Sequence, residues 1–143
     1  ANLIVPLGTP VRDVVKFCGG LKPGTREMIM GGPMMGRPIA SLDVPILKGC
    51  SGVLVFTEAE TARRKEYPCI SCGRCLEACP YFLNPSRLAR LSKARMFDEM
   101  KAYNVFDCVE CGCCTFACPS NIPIVQLIRT AKDDLTHRKE PDA

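Results

Sequence analysis

The residues with chemistry to offer in this chain are thiols at regular spacing. Cys69, Cys72, Cys75 and Cys79, closed by Pro80, form a C-x2-C-x2-C-x3-C-P run. Cys108, Cys111, Cys114 and Cys118, closed by Pro119, repeat it at an offset of 39 residues. This is the bacterial-type ligand pattern for a [4Fe–4S] cluster: three thiolates on one tight loop hold three corners of a cube, and the fourth reaches the other cube. The crossover assigns Cys69, Cys72, Cys75 and Cys118 to one cluster, and Cys108, Cys111, Cys114 and Cys79 to the other. Gly73 and Gly112 let the backbone turn closely about the inorganic core, so that amide N–H groups can aim at sulfur. Pro80 and Pro119 fix the chain after the last ligand. Two thiolate-bound clusters with no substrate chemistry beside them describe an electron carrier.

Zinc also favours four thiolates. Its sites tend to pair two separated C-x2-C knuckles and often recruit histidine. Here three cysteines fall within seven residues, twice, and the one histidine, His137, lies in the tail. The pattern therefore points to iron and sulfide. Cys113 sits beside a ligand, but the repeat aligns Cys114 with Cys75 and leaves Cys113 a spectator. Cys18 is expected in a core and Cys50 as a small packed residue, with His137 on the surface. The turn Gly31-Gly32-Pro33-Met34-Met35-Gly36 lacks the register and lysine of a phosphate-binding loop, so Met34 and Met35 read as packing. Arg63, Arg64, Lys65, Arg87, Arg90, Lys93 and Arg95 offer a basic face for an acidic redox partner, or simply a solvated one. No aromatics interleave for nucleic acid. A paired-carboxylate signature, an activated nucleophile and a dinucleotide fingerprint are all missing.

The elements that must position these residues divide into two halves, giving an α+β class. Residues 1–57 read as a small β-grasp-like domain. It has a strand over Asn2–Leu7 and a helix capped by Thr9, with Pro10 at its first position. Val11, Val14, Val15 and Cys18 form that helix's apolar stripe, and Gly19-Gly20 ends it. Strands follow at Glu27–Met30 and Gly52–Thr57. Residues 58–66 read as a charged helical connector. Residues 67–136 alternate cysteine loops with helices at Pro85–Lys93, Met96–Tyr103 and Pro123–Leu135, an α-helical domain for two [4Fe–4S] clusters. A polar, frayed tail is expected from Thr136, with 137–143 outside the domain.

Composition sets the outer bounds. The chain has 143 residues, 47% hydrophobic and 24% charged, with a formal net charge of +4. This excludes a disordered chain, a coiled coil and a collagen-like repeat. No apolar run approaches the roughly 18 residues of a spanning helix. Eleven cysteines are near the density of a secreted disulfide scaffold, but the count is odd and eight crowd into two clusters. Clustered thiols without an expected secretory leader imply a reducing compartment.

The sequence resembles the C subunits of Rnf electron-transport complexes. The residues that carry this are Gly8-Thr9-Pro10, Phe17-Cys18-Gly19-Gly20, Gly31 to Gly36, Leu42-Asp43-Val44-Pro45, Glu110-Cys111-Gly112 and Pro119-Ser120-Asn121-Ile122-Pro123, around the doubled cluster motif. The resemblance implies a soluble-ligand-binding β-grasp domain followed by a two-cluster ferredoxin domain. It implies a component of an ion-translocating ferredoxin:NAD oxidoreductase, peripheral on the cytoplasmic face of a bacterial membrane and not catalytic alone. The expected partners are the other subunits, a flavin/NADH module and, through the complex, ferredoxin. FMN and NADH are expected only in an upstream domain that this chain lacks. The sequence is also similar to the cobalamin reductase of propanediol-utilisation microcompartments. A structural or corrinoid-binding module with bracing clusters is a further alternative, which the doubled ligand sets disfavour.

Overall fold

A computed structural model describes residues 1–61 and 65–138. The chain divides into two compact units, Ala1–Arg63 and Arg64–Ala143. Among the described residues no helix is long and apolar enough to cross a membrane.

The first unit holds a three-stranded antiparallel sheet, β1 (Thr25–Met30), β2 (Arg37–Pro38) and β3 (Val53–Thr57), in the order β2-β1-β3. Ile29 pairs Pro38 and Met30 pairs Arg37 on one side, and Met30 pairs Val53 through Glu27 with Phe56 on the other. A register shift between Thr25 and Glu27 makes Arg26 the extra residue of a bulge. The turn between β1 and β2 depends on glycine. Gly31 has φ +108, and Gly36 N donates to the Gly32 carbonyl at 2.7 Å. A Cβ at Gly36 would strike Ile29 Cγ2 and lie 2.6 Å from the Gly32 oxygen. Helix α1 (Val11–Phe17) lies beside residues 42–46. Val11 N donates to Val44 O and Arg12 N to Leu42 O, and the Arg12 guanidinium pairs with Asp43. Among the described residues of this unit, only Val11 and Ile46 are buried apolar side chains.

Several expectations for this half need correction. Asn2–Leu7 is not a strand: Pro6 has no N–H to donate and the segment joins no ladder, leaving Ile4 and Leu7 exposed. Thr9 does not cap α1. Its hydroxyl donates to the Pro6 carbonyl, and Pro10 takes the cap position in extended geometry. Met34 and Met35, expected as packing, are 41% and 51% exposed at the turn. The helical connector is a turn over Glu58–Thr61, drawn back by Glu60, whose carboxylate accepts from Thr57 N and Oγ1. Residues 65 and 66 have no regular structure, and 62–64 lie outside the described residues.

The second unit contains α2 (Arg74–Glu77), α3 (Pro85–Lys93), α4 (Cys113–Phe116) and α5 (Ile124–His137). A 3-10 segment, Asp98–Tyr103, replaces the ordinary helix expected over Met96–Tyr103; a second, Val105–Asp107, follows it, and Asn104 between them sits at φ +54. The core is made where α3 crosses α5. Leu88, Ala89 and Leu91 meet Ile124, Ile128 and Ala131, with Met100, Val105 and Ile122 closing it. Ser92 is buried among them because its hydroxyl donates to the Leu127 carbonyl at 2.7 Å. Asn84 caps α3, its Oδ1 accepting from Arg87 N, with Pro85 in the first turn. Helix α5 is capped from another element: Thr115 Oγ1 accepts from Val125 N at 2.9 Å. It also runs past the expected fraying point at Thr136. Thr136 donates back to Lys132 O, and Arg138 bridges Asp134 and Asp98. Of the expected 137–143 tail, residues 139–143 lie outside the described residues.

Candidate metal centre

The two cysteine loops share one backbone. Ser71 and Glu110 take φ +56 and +58, Gly73 and Gly112 take +78 and +84, and Phe82 and Asn121 take +55 and +52. Each pair is separated by 39 positions. After the glycine the chain coils at once into α2 or α4, with Leu76 N donating to Gly73 O and Phe116 N to Gly112 O. The third cysteine of each run, Cys75 or Cys114, thereby points inward and is 9% or 7% exposed.

Hydrogen bonds bring the end of the second run to the start of the first. Tyr67 N donates to Ser120 O at 2.9 Å, Ser120 Oγ to Pro68 O at 3.0 Å, and Asn121 Nδ2 to Lys65 O at 3.1 Å. The chain entering Cys69 is thus laced to the chain leaving Cys118. Cys69, Cys72, Cys75 and Cys118 line one cavity of about 480 Å³. Cys79, Cys108, Cys111 and Cys114 line a second, tighter one of about 20 Å³. Among the described residues no three His, Cys, Asp or Glu side chains are placed to share a single metal ion. Four thiols around a common space are a donor set that a metal centre can use.

Electrostatics separates the buried thiols from the rest. Burial pushes Cys75 and Cys108 up, and pushes Cys114 up to about 11. A metal bound by these thiols would displace their protons, so its binding would be favoured as pH rises. Cys113 is also raised, chiefly by a hydrogen bond to Cys111, which places it beside the second set without lining that cavity. Glu110 is held low despite its burial, because Lys132 and Arg129 bond its carboxylate.

The other sequence candidates fall elsewhere. Cys18 is exposed rather than in a core, because the helix stripe it sits on is only lightly covered, with Val14 and Val15 half-buried. Cys50 is half-buried and its thiol donates to Gly52 O. His137 is exposed and pairs with Asp133. The basic face is partly consumed: Arg87 stacks over Tyr103, Lys65 over Tyr67, and Lys93 pairs with Glu66, while Arg63 and Arg64 lie outside the described residues. Arg90 and Lys93 instead line the first four-cysteine cavity, and Lys132 Nζ donates to the carbonyl of Cys108 at 2.9 Å. Sequence reasoning named Arg90 and Lys93 only as part of a basic face and missed Arg129 and Lys132, although the repeat superposes the two pairs.

Residues 66–122 match the family described as 4Fe-4S dicluster domain, and residues 1–38 match the SLBB domain. The chain is 51% identical to the C subunit of the proton-translocating ferredoxin:NAD(+) oxidoreductase complex of Clostridium ljungdahlii, over 93% of its own length and 29% of that protein's. It is 45% identical to the C subunit of the ion-translocating oxidoreductase complex of Rhodobacter capsulatus, over 97% and 27%. It is 41% identical to the corresponding C subunit of Methanosarcina acetivorans, over 96% and 31%. The chain therefore spans about a third or less of the curated relatives it matches. The resemblance read from the turn and the doubled motif is borne out: the chain is homologous to part of an Rnf-type C subunit.

Proposed function

We propose that this homologue of part of an ion-translocating oxidoreductase C subunit is its electron-carrying portion, holding two [4Fe–4S] clusters. Cys69, Cys72, Cys75 and Cys118 hold one, and Cys79, Cys108, Cys111 and Cys114 the other. The carrying observation is that the cysteines line two cavities in these two sets, each mixing the runs. Bound there, the clusters supply one-electron transfer at potentials set by their surroundings. The chain's own residues do the rest. The glycine turns present the first three thiols, and the Ser120 and Asn121 bonds bring Cys118 to its set. The helix-crossing core keeps bulk water from Cys75 and Cys114.

In this reading residues 67–136 are the cluster domain and residues 1–57 a soluble-ligand-binding β-grasp-like domain, which the SLBB match supports. The chain relays electrons between an NADH/FMN module and ferredoxin or membrane partners, peripheral on the cytoplasmic face. It does not oxidise NADH alone. The test is metal and sulfide analysis of anaerobically prepared chain, with about eight irons expected. Cys79→Ser should then damage the cluster whose other ligands all come from the second run, namely Cys108, Cys111 and Cys114. Zinc without thiolate-to-iron absorption, or loss of only the other cluster's paramagnetic signal, would refute the assignment.

A further inference from the structure

The repeat continues past the cysteines. It superposes Arg90 and Lys93 of α3 on Arg129 and Lys132 of α5, and Ser71 on Glu110. Each pair lies three residues apart on one face of the helix that follows its cysteine loop. The two pairs are held differently. At the first loop Arg90 is exposed, and Lys93 pairs with Glu66 while their side chains remain 47% and 39% exposed. At the second, the Glu110 carboxylate takes Arg129 Nε at 2.8 Å and Lys132 Nζ at 3.0 Å, with all three side chains about four-fifths buried. Lys132 Nζ also donates to the Cys108 carbonyl at 2.9 Å. Ser71 and Glu110 share one backbone conformation, so the difference lies in the side chain alone.

Among the described residues a cation is therefore fixed on the main chain of a proposed ligand at the second site and none at the first. Partly buried charges are screened less than exposed ones. An electron added to a thiolate-bound cluster makes it more negative, and a fixed cation nearby stabilises that reduced form. We propose that Lys132, seated by Glu110, is a positioning residue that raises the reduction potential of the group held by Cys79, Cys108, Cys111 and Cys114 and so makes the two sites unequal. This rests on the reading of the eight cysteines as ligands of two clusters.

The test is a potentiometric titration of the full anaerobic chain followed by paramagnetic resonance, with the second-site signal identified by its change in Cys111→Ser. Lys132→Gln removes a positive charge and should move that signal to lower potential. Glu110→Gln removes a negative charge and should move it to higher potential. Lys132→Arg should stay close to the parent, and the first-site signal should hold still throughout. Should Lys132→Gln fail to load, Arg129→Gln removes the same charge, keeps the lysine bond to Cys108, and should give the same downward shift. Unmoved potentials, or shifts of one sign in both charge variants, overturn the proposal. A parent chain without two cluster signals would instead overturn the ligand reading beneath it.

Discussion

Residue identity matters most where two cysteines compete for one role. Cys113 and Cys114 are adjacent, yet one turn of α4 buries Cys114 against the cavity shared with Cys79 and leaves Cys113 outside it. The repeat puts Arg74 at the position equivalent to Cys113, a residue that cannot ligate metal. On the proposed reading Cys113→Ala should keep both clusters, read as unchanged iron content and two paramagnetic signals. Loss of either would mean that the neighbours exchange roles. Cys18 shows where residue-level reading misleads. Its place on an apolar stripe says which way it points relative to Val11, but not whether anything covers it, and among the described residues little does.

Elements reveal how far the repeat extends. The two loops match in three left-handed positions, one of them occupied by Phe82 in one copy and Asn121 in the other. Both make the same bond, Phe82 N to Cys79 O and Asn121 N to Cys118 O, at 3.2 Å. A bulky residue in left-handed geometry is strained by roughly 1–2 kcal/mol, whereas asparagine adopts it readily. Phe82 is 94% exposed, so little packing offsets that strain. Phe82→Asn should stabilise the chain by about 1 kcal/mol, measured as a higher denaturant midpoint at unchanged cluster content. A lower midpoint would show that the phenyl ring packs in a way that exposure does not suggest. The two helices after the loops also start differently. Helix α3 is capped by its own Asn84, a signal plain in sequence, while α5 borrows Thr115 from α4. The borrowed cap is a tertiary contact ten residues away and carries no local signature.

For the molecule as a whole, the units differ in what holds them. The core of the second unit includes Cys75 and Cys114, with Cys108 and Cys118 packed against it. Small domains often need a metal staple, and metal binding is then linked to folding. If the proposed clusters are bound, chelating their iron should raise amide hydrogen exchange along α3 and α5 while leaving the β1–β3 pairing of the first unit unchanged. Equal protection of α3 and α5 with and without iron would show that the helix crossing stands by itself.

What the sequence determined by itself was whatever rests on local spacing. The doubled cysteine spacing, the glycine turns, the helices at Pro85–Lys93 and near Pro123, and the strands around Met28 and Val55 are all readable from neighbours a few residues apart. Tertiary structure decided what depends on distant partners. Asn2–Leu7 had a strand's composition but met no ladder, and β2 is two residues defined only by its pairing with β1. The lacing of Tyr67 to Ser120, and of Lys132 to Cys108, joins residues 53 and 24 positions apart. Hydrogen bonds and burial are satisfied wherever the folded chain brings a partner, and only the fold says which partners arrive.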